Sequence, residues 1–262
     1  MWVIRSDGST TYLIGTIHLL KGQTEWKKEK LNKALAESSE LWLEIADPEN
    51  QAGIVPLLQQ YGYDRQKSLS SRLDTAGKEK LRKVEQQYNV TPTMLEPMRP
   101  WLAGLILSVL PLQKAGYDPN SGVDFLLKQD AEKAGKKVNG FETQEQQVRF
   151  LAELPEPDQV TFLNDTLDDT LQGIALFDKL AAAWLSGDTK TIGDVFVDEV
   201  KAKAPSIYQK LLVDRNVNWA GRISALQKTR GTRLIAVGAG HLIGPDSVQA
   251  QLAKIGIKAE TY

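Results

Sequence analysis

The 262-residue chain contains no cysteine. That excludes disulfides, zinc–thiolate sites and cysteine nucleophiles, and leaves the redox compartment open. Histidine is nearly missing too, with only two copies. No apolar run approaches the ~20 residues needed to span a bilayer; the longest, near Trp101–Leu112, is bracketed by prolines. Neither sign of charge dominates. Lys plus Arg is 32 and Asp plus Glu is 33, for a net charge of -1, and no basic block is present. Nothing therefore points to nucleic acid or an anionic membrane as a partner. The phosphate-cradling P-loop, the Gly-x-Ser-x-Gly elbow and the His-Glu-x-x-His helix are all missing. Gly238-x-Gly240 follows a strand, but a dinucleotide fingerprint needs glycine at 243. Isoleucine stands there, with Gly244 one place late.

What is present is ordinary for a globular protein of one large domain or two small ones, at 42% hydrophobic and 25% charged residues. Trp2–Arg5 and Thr10–Gly15 are β-prone runs around Ser6-Asp7-Gly8-Ser9, which predicts a hairpin. Thr24 is placed to cap a helix running to about Ser38, with Leu31, Ala34 and Leu35 on one face. Glu40–Ala46 reads as a strand stopped by Asp47-Pro48. This order suggests a βαβ unit.

The middle is helical. Thr75–Tyr88, Trp101–Leu110 and Gly122–Ala134 read as helices, the last closed by Gly135. Lys137–Phe141 is a short strand, and Thr143 and Gln146 have capping-box spacing. Apolar residues recur from Val160 through Ile174 and on to Trp184, predicting one long helical pattern toward Gly187, with two more helices after Pro205. The segment at about 155–230 is helical enough to suggest a lobe of its own. Arg233–Val237 is a strand, Pro245 opens a helix, and Ile257–Tyr262 is a final strand. The expected class is α/β (α+β): a small central mixed sheet built from N- and C-terminal βα units, with a large helical middle, in a single domain over 1–262.

The two histidines share a frame. His18 ends Gly15-Thr16-Ile17-His18 after the apolar run Tyr12-Leu13-Ile14. His241 ends Gly238-Ala239-Gly240-His241 after Leu234-Ile235-Ala236-Val237. Imidazole suits metal binding or proton transfer near neutral pH, and ligands of open α/β sheets gather beyond the carboxyl ends of the strands. Each histidine alone fits a hydrogen-bonded structural role; the repeated frame argues for a shared site. Glu44 lies in the run Leu41-Trp42-Leu43-Glu44-Ile45-Ala46, where a carboxylate is costly unless paired, protonated or metal-bound. Strand alternation also permits it to face solvent. Glu142 ends the strand before Thr143 and fits equally well as a helix cap. Two imidazoles with one or two carboxylates suit a divalent transition metal. Arg215 and Arg99 are candidates to hold a carboxylate or an oxyanion. Trp26, Trp101, Trp184, Trp219 and Tyr88 read as core.

Taken in order, Tyr12-Leu13-Ile14-Gly15-Thr16-Ile17-His18, Leu43-Glu44, Gly140-Phe141-Glu142-Thr143 with Gln146, and Gly238-x-Gly240-His241-Leu242 resemble the TraB/GumN family, related to the Tiki metalloproteases. Gly122-Val123-Asp124 and Arg215-Asn216 are similar to that family's pattern as well. The resemblance spans nearly the whole chain. It implies metal-dependent hydrolysis of a peptide bond, with manganese or cobalt ahead of zinc and a peptide or protein as substrate. It implies His18, Glu44 and His241 as metal-site residues, and Glu142, Asp124 and Arg215 as catalytic neighbours. It also implies export to the periplasm or envelope, with a targeting segment removed. The competing expectations are a non-catalytic haem- or metal-binding module and a metal-independent esterase.

Overall fold

The computed structural model describes residues 1–262. Eight strands form: β1 (Trp2–Ser6), β2 (Ser9–Thr16), β3 (Leu20–Lys21), β4 (Glu40–Ile45), β5 (Tyr117–Asp118), β6 (Lys137–Glu142), β7 (Gly231–Gly238) and β8 (Glu260–Thr261). Six of them make a mixed sheet in the order β6-β4-β7-β2-β1-β8. The four strands β6, β4, β7 and β2 run parallel, and β1 is antiparallel to both its neighbours. The β1–β2 hairpin forms as expected, with Ser6 paired to Ser9 and Gly8 supplying φ +71° in the two-residue turn. β3 and β5 form a separate ribbon just beyond His18.

Hydrophobic patterning explains the layers. β7 is buried continuously from Arg233 to Val237, as a central parallel strand covered on both faces must be. On one face, Leu41, Leu43, Leu234 and Ala236 pack with Leu31 and Ala34 of helix Glu29–Glu37, and with Val123, Leu127 and Ala131 of helix Val123–Lys133. On the other, Leu13, Ile235, Val237 and Phe141 meet Trp219, Ala220 and Ile223 of helix Asp214–Gln227, with Val248 and Leu252. A third core is purely helical. It joins Leu81 and Val84 of Thr75–Tyr88, Trp101, Leu102 and Leu107 of Pro100–Lys114, and Leu163 and Leu167 of Glu156–Gln172.

Several expectations shift. The first helix begins at Glu29, after cap Lys28, not at Thr24; Thr24 instead closes a turn onto the Lys21 carbonyl, and Trp26 is pulled into the core. Helix Gln51–Gly62 was not foreseen. The long helical pattern breaks at Gly173, which takes φ +85° between Glu156–Gln172 and Ala175–Ser186. Past Pro205 the helix is continuous, but a π turn at Gln209–Val213 offsets it before Asp214. The final helix starts at Val248, capped by Ser247, and the last strand shrinks to two residues. The 155–230 segment shares its apolar residues among the helical core, the sheet core and two small clusters. No helix is long and apolar enough to cross a membrane.

Candidate functional site

The parallel pairing aligns four strand tips. Gly15 sits opposite Val237, Thr16 opposite Gly238, and Ile45 opposite Glu142. Each chain then leaves the sheet carrying a polar side chain: His18 past β2, Glu44 at the end of β4, His241 past β7 and Glu142 at the end of β6. The Nε2 atoms of His18 and His241 each lie 3.9 Å from the same oxygen, Glu44 Oε1. The first and last imidazoles of the chain thus converge on one carboxylate.

The tautomers follow from the partners. His18 Nδ1 is 2.7 Å from Asp124 Oδ2, and Asp124 Oδ1 accepts from the Thr16 hydroxyl at 2.6 Å. Asn216 donates its amide to the Asp246 carbonyl at 2.8 Å, so its oxygen faces His241 Nδ1 at 2.6 Å. His241 Nδ1 must therefore carry a proton, leaving Nε2 with a lone pair. Asp124 holds His18 the same way round, the outer-shell arrangement that orients metal-ligating histidines. Gly122 makes this possible. A Cβ there would stand 2.2 Å from the His18 carbonyl oxygen, so only glycine lets helix Val123–Lys133 approach with Asp124 in its first turn.

Arg215 lies at the centre. Its Nη2 donates to Glu44 Oε2 at 2.5 Å and to Glu142 Oε2 at 2.8 Å, and its Nε donates to Glu142 Oε1 at 2.9 Å. Its Nη1 reaches His241 Nε2 at 3.1 Å and the Leu211 carbonyl at 3.1 Å. The guanidinium also lies over the Trp219 ring, one helical turn on. Glu142 accepts further bonds from Trp219 Nε1 at 2.9 Å and Gln147 Nε2 at 3.0 Å. Both of its oxygens are engaged, and its side chain is 6% exposed. Glu142 is thus a brace for Arg215 and has no opening onto the cavity.

The electrostatics separate the two imidazoles. The Asp124 carboxylate pushes His18 up to about 9. Burial, with the Arg215 charge, pushes His241 down to about 3, so it is neutral at all ordinary pH. For Glu44, burial alone would raise the pKa, but Arg215, the His18 imidazolium and the Gly238 N–H outweigh it and hold the carboxyl well below its usual range.

These donors suit a divalent cation, and an empty volume sits among them. A Cβ added to Gly238 would lie 3.1 Å from Glu44 Oε1, 3.4 Å from His18 Nε2 and 3.6 Å from His241 Cδ2. The missing side chain leaves a cradle walled by the three groups. No three His, Asp or Glu side chains are drawn tightly enough together to form a finished ion cage. The 3.9 Å spacings exceed the roughly 3.0–3.5 Å between ligands bound at ~2.1 Å, and ligation by His241 would displace one Arg215 contact. His18, Glu44, Asp124 and Gln147 line a cavity of about 400 Å³ that Glu49, Gln51 and Asn120 make polar.

All six residues expected at the site, His18, Glu44, Asp124, Glu142, Arg215 and His241, are brought together. Arg99 is not. It caps helix Pro100–Lys114 and donates to the Tyr61 carbonyl, within the helical layer. Gln147, Thr16 and the open Cβ position of Gly238 join the site without a role assigned from sequence, and Trp219, which reads there as core alone, lies against Arg215. The four-residue spacing of Arg215 and Trp219 was the available signal.

A mixed α/β sheet whose parallel strand tips gather two imidazoles, two glutamates and a buried arginine defines the class. The chain belongs to the TraB/PrgY/gumN family, whose model matches residues 1–261. It is similar to the uncharacterized protein YbaP of Escherichia coli K12, 24% identical over 243 residues that cover 92% of this chain and 87% of YbaP. An uncharacterized protein of Treponema pallidum is 21% identical over 260 residues, covering 94% of this chain and 78% of its own length. No solved structure matches this chain.

Proposed function

We propose that the protein is a metal-dependent hydrolase acting on a peptide bond. The observation that carries this reading is the cradle over Gly238, where Glu44 Oε1, His18 Nε2 and the edge of the His241 ring border one small volume, with both imidazole Nε2 atoms 3.9 Å from Glu44 Oε1. His18, Glu44 and His241 would hold the ion, manganese or cobalt ahead of zinc. A cation bound there would supply Lewis-acid polarisation of the scissile carbonyl and a lowered pKa for a bound water.

The remaining work belongs to the chain's own groups. Asp124 and Asn216 fix the two imidazole orientations. Arg215, kept cationic by two carboxylates, has all five N–H groups engaged, so it would act on negative charge developing at a carbonyl oxygen through its field alone. Glu142 keeps that guanidinium in place. The 400 Å³ cavity on the Glu44 side would receive the polar backbone of the substrate. A haem is poorly supported, because Glu44 and Arg215 fill the space between the imidazoles. Export to the periplasm or envelope forms part of the same reading, and cell fractionation tests it.

The test is elemental analysis of the wild type against the His18→Ala/His241→Ala double variant, with peptide cleavage measured after chelation and after manganese addition. We expect stoichiometric metal and manganese-restored cleavage in the wild type, and neither in the variant. Full cleavage by the double variant would end the proposal.

A further inference from the structure

We propose that the apolar cavity beside the β2 and β7 tips is a side-chain subsite for a bulky aliphatic or aromatic residue next to the cleaved bond. The inference rests on the hydrolase reading and adds the class of substrate. The cavity measures about 190 Å³ and is lined chiefly by Trp26, Leu31, Trp184, Ile192, Gly15 and Ala239. That volume suits one side chain and falls below the ~300–1,000 Å³ of sites for larger ligands.

Position argues for the connection. Gly238 carries the N–H that binds Glu44 Oε1 and borders the cradle; Ala239, the next residue, lines the apolar cavity. Successive Cα atoms lie ~3.8 Å apart in any chain. A substrate with its carbonyl over the cradle would therefore present its neighbouring side chain toward the Ala239 side, where this pocket lies. Gly15 and Ala239 pack directly against each other along this wall, since a Cβ on Gly15 would fall 2.9 Å from the Ala239 Cα.

Chemistry argues for an apolar occupant. The indole N–H of Trp184 is already spent on the Gly15 carbonyl at 2.8 Å, and Lys28, which reaches the Leu185 carbonyl at 3.0 Å, stands exposed at the rim. Burying a polar group against walls whose donors are engaged costs free energy, while burying a leucyl or benzyl group gains it. The polar cavity on the Glu44 side has the opposite character, so the two sides of the cradle discriminate the two sides of the scissile bond.

Two variants narrow the pocket from elements outside the site: Ile192→Phe from inside, and Thr189→Trp at its exposed mouth. The first measurement is tryptophan fluorescence of the unmutated protein titrated with N-acetyl-leucine amide and with N-acetyl-glycine amide. We expect a saturable change with the leucine amide only, abolished in both variants. The second compares manganese-supplemented cleavage of peptide pairs differing only at the residue beside the scissile bond. We expect roughly 10- to 100-fold higher kcat/KM for Leu over Gly, collapsing to within about 3-fold in the variants, with Gly-peptide cleavage retained.

Absence of leucine-amide binding, or a Leu preference that both variants retain, overturns the subsite. Binding that behaves as expected while no peptide is cleaved supports the subsite and counts against the hydrolase reading instead.

Discussion

A methyl group at position 238 would stand between Glu44 and both imidazoles, yet φ −48° and ψ 136° there suit any residue. Gly238→Ala should therefore keep the melting temperature within a few degrees and still lose bound metal. Calorimetry paired with elemental analysis checks this; full metal occupancy in a stable G238A protein would contradict the cradle. Arg215 makes the opposite case. Its removal strands Glu44 and Glu142 as buried, uncompensated charges, which costs about 3–5 kcal/mol. Urea unfolding of Arg215→Ala should show that loss, and Arg215→Lys should recover only part of it, lacking the fork that reaches both carboxylates. At this scale the sequence was highly legible for ionisable groups. His18, His241 and Glu44 advertise themselves by chemistry that is costly to bury. It was illegible for Gly238, because an empty volume is a property of three strands at once.

Pro111 inside helix Pro100–Lys114 has no N–H to offer the Leu107 carbonyl one turn back. The helix continues because the Thr170 hydroxyl from the neighbouring helix donates to that carbonyl at 3.3 Å, in a fully buried position. Thr170→Val keeps the shape and leaves the carbonyl bare, so it should destabilise by about 1–3 kcal/mol. In a Pro111→Ala background the restored amide takes over, and the same change should cost much less. A double-mutant cycle by denaturant titration reads the coupling directly; additive costs would refute it. Elements declared by local chemistry were legible in advance: the Asp-Gly hairpin, the Thr143–Gln146 capping box, and helix Thr75–Tyr88 to the residue. The π turn ahead of Arg215 was not. Tyr208, just before it, and Leu212, within it, pack against Val197, a contact with no local signature.

At the scale of the molecule, the helical segment beyond residue 155 divides its apolar side chains. Leu163 and Leu167 serve the helical core, while Trp219 and Ile223 serve the sheet. A fragment of about 155–230 should accordingly remain unfolded by circular dichroism when expressed alone. The intact protein should lose near-UV and far-UV signals together on heating. A folded fragment, or separate transitions, would show the layers to be independent.

The strand order carries one more consequence. β7, from the last seventh of the chain, is wedged between β4 and β2, which appear within the first fifty residues. While the ribosome is still at work, those two early strands have no partner between them, and neither His241 nor the Gly238 amide exists. The nascent chain therefore cannot assemble the candidate site, and completes it only as synthesis ends.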